Sequence, residues 1–169
     1  MEFRKSRKSD LNRIMEIIKA AQKYMKESGI DQWQDGYPNE ESITSDIESG
    51  ESYVLEKDGN VIATSYLSFK GESDYNTIYE GEWISDEKYA VVHRVAVDND
   101  LKGNGIAGKV FDYVEKICLE KGVYDIKIDT HRHNKSMQRF LEKKGFKKCG
   151  IIYLKDNSER IAFEKVLKK

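Results

Sequence analysis

One feature constrains this chain more than any other: a run of glycines lies between two apolar stretches of different period. Val95-Ala96-Val97 is a β-forming run. After a short polar link comes Lys102-Gly103-Asn104-Gly105-Ile106-Ala107-Gly108-Lys109. From there Ile106, Val110, Tyr113, Val114 and Ile117 recur at helical spacing, and Gly122 stands where that helix should end. A strand that feeds a helix through a glycine turn is a βα unit. A chain built on one folds as a mixed α/β or α+β domain, not as a helical bundle or an all-β sandwich. The turn also carries chemistry. Glycines let backbone N–H groups approach a phosphate closely, the helix N-terminus adds partial positive charge, and Lys102 and Lys109 add full charges. A phosphate-bearing ligand fits this loop; a plain glycine turn without a ligand is the alternative.

The rest of the chain supplies partners for that unit. Residues 3–5 read as a short first strand. Leu11, Ile14, Met15, Ile18, Ala21 and Met25 follow at helical spacing behind Ser9 as a cap. Residues 30–38 form a loop, and 40–48 a second, shorter helix. Residues 52–56 and 60–69 are rich in β-formers and flank Asp58-Gly59, a hairpin signal. Residues 70–88 are a long polar connection carrying Tyr75, Ile78, Tyr79 and Trp83. Strands are expected over 89–97 and 125–129. Asn134 caps a helix that Gly145 closes, and strands over 146–154 and 160–166 turn at Asp156-Asn157. The order is β-α-α-β-β-β-α-β-α-β-β. Hairpins on both flanks of a βαβ centre imply a mixed sheet. With one proline, no repeat and no Ser/Gly linker, residues 1–169 read as a single domain.

Bulk composition excludes several classes. The chain has 29 basic and 30 acidic residues, a net charge of −1, so no global field favours nucleic acid or anionic lipid. No apolar run reaches the length of a membrane span, and the charged start lacks the apolar stretch of a signal peptide. Cys118 and Cys149 make no metal or redox spacing and read as small core residues, which points to a cytoplasmic protein. His131 and His133 have an HxH spacing but no evident third ligand, so no metal is expected.

Three phosphate-binding patterns compete for the glycine loop. Gly103, Gly108 and Lys109 match GxxxxGK, but Val110 stands where a P-loop needs Ser or Thr to hold Mg²⁺. Gly103, Gly105 and Gly108 match GxGxxG, with Asp129 ending the next strand as a dinucleotide fold requires. Against that reading, residues 98–102 intervene between strand and glycines, and 88 residues of other structure come first. The third pattern is [Q/R]xxGx[G/A], with Lys102, Gly105 and Ala107 at its marked positions. This resembles the acetyl-CoA loop of the GNAT (Gcn5-related N-acetyltransferase) family, with Lys102 in place of Gln or Arg. Asn134-Lys135-Ser136-Met137, then Phe140 and Gly145-Phe146, resembles that family's second landmark, and the order of elements fits along nearly the whole chain.

The resemblance implies a GNAT fold and transfer of an acetyl group from acetyl-CoA to the primary amine of a small molecule or peptide. It implies that Val95, Ala96 and Val97 flank the pantetheine arm, that Lys102, Gly103, Asn104, Gly105, Ile106, Ala107, Gly108 and Lys109 hold the pyrophosphate, and that Asn134 faces the cofactor or simply caps its helix. The tyrosine that protonates the leaving thiolate in many members falls at Leu141. His93, two residues before Val95 and so expected on one strand face with Val95 and Val97, matches a histidine of arylalkylamine-acetylating members and is the candidate base, since histidine titrates near neutral pH; Asp129 is the second candidate. Trp33, Tyr37, Tyr79 and Trp83, interleaved with carboxylates, suit a cationic acceptor through cation–π contact. The same insert equally suits a homodimer interface. The alternatives kept open are a CoA-binding sensor or partner-binding module without turnover, transfer of another acyl group, and an NAD-dependent oxidoreductase.

Overall fold

The computed structural model describes residues 1–168. The element order is the expected one: β1 (Glu2–Lys5), α1 (Leu11–Glu27), α2 (Glu40–Glu48), β2 (Ser52–Lys57), β3 (Asn60–Ser68), β4 (Ala90–Val97), α3 (Ile106–Glu120), β5 (Asp125–Thr130), α4 (Lys135–Lys143), β6 (Lys147–Tyr153) and β7 (Glu159–Val166). The seven strands form a mixed sheet in the order β1-β2-β3-β4-β5-β7-β6. Among the described residues no helix is long and apolar enough to cross a membrane. The chain divides into two compact units, one of Met1–Leu67 with His93–Val114, the other of Ser68–Val92 with residues 115–168.

In the first unit, β1 pairs antiparallel with β2, and β2 with β3, through Arg4↔Val54 and Val54↔Thr64. Asp58 and Gly59 both have positive φ, 52° and 81°, which is the two-residue turn that a right-handed strand twist favours in a hairpin. Helix α1 turns Ile14, Ile17 and Ile18 onto Ile43 of α2 and onto Val54, Val61 and Ala96 of the sheet. Its cap is not Ser9. Residues Lys8–Asp10 form a 3-10 turn, and Asp10 stands at the N-cap position without a side-chain capping bond to the helix. The Asp10 carboxylate accepts the Arg7 amide at 2.7 Å and the Arg4 guanidinium at 2.9 and 3.1 Å. It ties β1 to the head of α1, and Arg4 holds it below the usual carboxylate range.

In the second unit, the opening of β4 runs parallel to β5 through Ala90↔Ile126 and Val91↔Lys127. Strand β7 pairs antiparallel with both β5 and β6. The 70–88 segment is not a free polar connection. It forms a 3-10 turn at Ser73–Tyr75, and Tyr79 then exchanges both backbone hydrogen bonds with Ile151 of β6, each 2.8 Å.

Candidate functional site

The glycine loop belongs to the first unit and is built on anchored flanks. The Asp98 amide donates to Ile62 O at 2.8 Å, and its carboxylate accepts from Arg13 of α1. A 3-10 turn follows at Asn99–Leu101, started by Asp98 Oδ1 accepting the Asp100 amide. Asn104 Nδ2 donates back to Leu101 O at 3.0 Å, and α3 opens at Ile106. Gly103 and Gly105 have φ of 84° and 74°, left-handed values that a residue with a Cβ adopts only at a cost. A Cβ built at Gly103, Gly105 or Gly108 meets nothing within 4 Å, so the loop's surface is open to a ligand. Approachable backbone, left-handed turns and a helix N-terminus are features that suit an anionic group. Lys102 Nζ lies 3.8 Å over the Tyr24 ring of α1, and partial burial lowers its pKa.

Upstream of the loop, Val95, Ala96 and Val97 complete β4, with Ala96 buried. Arg94 interrupts this strand with a φ of 52°. Side chains alternate between faces only along regular extended backbone. The alternation that would set His93 beside Val95 and Val97 is therefore broken at the residue between them. His93 stacks on Tyr66 of β3, ring centroids 5.5 Å apart and planes 25° apart. The next residue lies on the same ring, Arg94 Cζ 4.4 Å from its centroid. Arg94 Nε and Nη2 fork onto the Asp46 carboxylate of α2 at 2.8 and 3.0 Å, and Nη1 donates to the Tyr37 hydroxyl at 2.6 Å. Burial raises the Asp46 pKa, while Arg94 pulls it back down. Tyr37 thus stands at an organised polar cluster, whereas Trp33 packs against the α1–α2 core.

The remaining candidates belong to the second unit. Asp129 of β5 accepts the Tyr75 hydroxyl at 2.6 Å. Tyr75 is buried, and burial first, then the Asp129 charge, push its pKa well above the usual tyrosine value. Asn134 is the α4 N-cap, its Oδ1 accepting the Met137 amide at 3.2 Å. Leu141, at the position of the missing tyrosine, is 0% exposed. Trp83 donates its indole N–H to Tyr75 O at 2.9 Å, and the buried Lys127 ammonium lies 4.5 Å from its ring and 4.1 Å from that of Tyr89. Tyr79 meets Tyr153 edge to face at 5.3 Å. His131 Nδ1 accepts the His133 amide at 3.1 Å. Among the described residues no group of three or more His, Cys, Asp or Glu is placed to hold a metal ion.

The structure brings His93 together with Tyr66 and, through Arg94, with Tyr37 and Asp46. Arg94, Asp46 and Tyr66 are not among the residues that sequence patterns single out. Three positions so far apart carry no spacing signal; the one cue was a charged residue inside an otherwise apolar strand.

Known proteins resemble this chain along its length. The family model described as the acetyltransferase (GNAT) family matches residues 14–146, a span that includes the glycine loop, Asn134 and Gly145-Phe146. A GNAT-family acetyltransferase from Streptococcus agalactiae 2603 is 32% identical, with a TM-score of 0.90 over 99% of this chain and 96% of that one. One from Listeria monocytogenes 4b F2365 shares the fold at 21% identity, with a TM-score of 0.77 over 98% and 94%. The S-alkylcysteine N-acetyltransferase of Bacillus subtilis (strain 168) is 26% identical over 117 residues, which are 69% of this chain but 60% of that protein's length. With the family pattern matched along most of the chain and the fold shared end to end, the chain belongs to the GNAT acetyltransferase family.

Proposed function

We propose that this protein is a cytoplasmic N-acetyltransferase that moves the acetyl group of acetyl-CoA to the primary amine of a small molecule or peptide. The observation that carries the proposal is the open loop at 102–109, with left-handed Gly103 and Gly105 leading into α3. Acetyl-CoA supplies the thioester. The loop's N–H groups and Lys102 and Lys109 bind its phosphates, Val95, Ala96 and Val97 line its arm, and Asn134 serves both its helix cap and the cofactor side. Backbone N–H near Val95 is the donor toward the thioester oxygen, where negative charge grows.

Direct attack forms the N–C bond and breaks the C–S bond. The amine must shed a proton, and His93 takes it, with Asp129 as the second candidate. Coenzyme A leaves as a thiolate, since Leu141 offers no proton. The S-alkylcysteine-acetylating relative supports a small amino compound as acceptor.

The test measures thiol release with acetyl-CoA across a panel of amines that includes S-alkylcysteines. Turnover is expected with at least one. Gly105→Asp, which adds a side chain and a negative charge to the cradle, is expected to weaken acetyl-CoA binding about tenfold or more. Unchanged affinity in a folded variant would refute the placement. A second reading, CoA binding without turnover, is favoured by Leu141. Tight acetyl-CoA binding with no thiol release across the panel would select it.

A further inference from the structure

Consecutive residues of a regular strand project to opposite faces, yet His93 and Arg94 lie on one ring, that of Tyr66. The left-handed φ of 52° at Arg94 makes this possible. A long side chain held in that backbone region is a strained arrangement, of the sort retained where a group must be aimed.

The guanidinium is aimed and only partly used. It carries five N–H donors in a rigid planar fork. Three are taken: Nε and one of Nη2 by Asp46, and one of Nη1 by the Tyr37 hydroxyl. One N–H remains on each terminal nitrogen. The Arg94 side chain is 12% exposed. Its bonds to Asp46 are partly buried, whereas its Nη1 bond to the Tyr37 hydroxyl is exposed, so the Nη1 end of the guanidinium is the one nearer solvent. The Tyr66 and Tyr37 rings, with centroids 4.4 and 5.8 Å from Cζ, and the Asp46 fork fix the plane of the group before any ligand arrives.

A guanidinium held in a fixed plane, with one N–H left on each terminal nitrogen, matches one ligand chemistry best, the planar carboxylate. The neighbouring imidazole, on the same tyrosine, matches an ammonium. We propose that Arg94 reads a carboxylate on the acceptor and that the acceptor is an α-amino acid or a similar compound whose amine and acid stand a few bonds apart. This rests on the N-acetyltransferase reading above, with His93 as the base. Arg94 is then a specificity-determining residue: it binds the acid while His93 takes the proton from the amine.

The experiment uses the full chain, acetyl-CoA and matched acceptors: S-methylcysteine, its amide, and S-methylcysteamine, which lacks the acid. Thiol release gives kcat/KM for each. The wild type is expected to prefer the acid over the amide by about tenfold or more, since a site built to hydrogen-bond a group rejects the analogue lacking it. Arg94→Lys keeps the charge but loses the fork, and Arg94→Gln loses both. In both, the acid-to-amide ratio is expected to fall toward one. A purely structural latch would lower turnover of acid and amide alike and leave the ratio unchanged. That result, in variants shown to be folded by their melting curves, overturns the proposal. So does a wild type with no preference for the acid. Absence of turnover with all three acceptors and with every other amine is a different failure: it removes the transferase reading itself, and the Arg94 proposal with it.

Discussion

Arg94 sits mid-strand with a φ of 52°, and His93 beside it stacks on Tyr66 rather than following a two-residue alternation. Strand parity alone no longer argues for His93 as the base. What motivates the proposal is its place beside the Arg94 cluster and the resemblance, read from the sequence, to a histidine of arylalkylamine-acetylating family members. A base that removes the amine proton contributes typically 10²-fold or more. His93→Ala and His93→Gln are therefore expected to lower the single-turnover rate by about 10²-fold, with acetyl-CoA affinity nearly intact by calorimetry. Full rate in both variants would make His93 a packing partner of Tyr66, and Asp129 would inherit the role. Leu141 is instructive at the same scale. It is 0% exposed, so the tyrosine of other family members could not be restored there without overpacking. No phenol stands at that position to protonate a leaving thiolate.

Among the elements, the 70–88 insert departs furthest from its expected character. Its sequence reads as a long polar connection carrying aromatics, and backbone contacts dock it. Tyr79 pairs with Ile151, the Glu82 amide donates to Cys149 O at 3.1 Å, and the Ile84 and Ser85 amides donate to the buried Glu164 carboxylate. Glycines permit the approach. A Cβ at Gly81 would stand 1.9 Å from Cys149 O, and one at Gly150 2.6 Å from Tyr79 O. Gly81→Ala is expected to cost about 1–3 kcal/mol of stability, as overpacking does. Hydrogen exchange at the Tyr79, Glu82 and Ile84 amides should quicken with it. Unchanged protection at those amides would show that the insert does not depend on the contact. The aromatic-rich sequence of the insert had suggested a cation site, and Trp83 does carry a cation, Lys127 of the same chain.

On the scale of the whole molecule, one buried acid should leave its mark on stability. Asp125 is 2% exposed, its carboxyl beside that of Glu164, which is 0% exposed. Burial first, then Glu164, push Asp125 up to about 8. In the unfolded chain an aspartate titrates near 3.9. Between these values the folded state holds a proton that the unfolded state has released, so stability falls as pH rises through the window. Below and above the window the contribution is flat. Urea midpoints at pH 5, 6.5 and 8 should therefore fall more steeply for the wild type than for Asp125→Asn. Parallel slopes would show that Asp125 is ionised throughout.

Consecutive residues were enough to read the order of the strands and helices, the Asp58-Gly59 turn, the glycine turn ahead of α3 and the resemblance to the family. All of these are local: periodicity, turn chemistry and glycine spacing act within a few residues, and the chain writes them in consecutive positions. Tertiary structure decided the rest. It inserted β7 between β5 and β6, put Asp10 rather than Ser9 at the head of α1, docked the insert on β6, and gathered Tyr37, Asp46 and Tyr66 around the Arg94 guanidinium. Those outcomes join residues far apart in sequence. Their energies depend on burial and on which donor finds which acceptor, and neither quantity exists until the chain is folded.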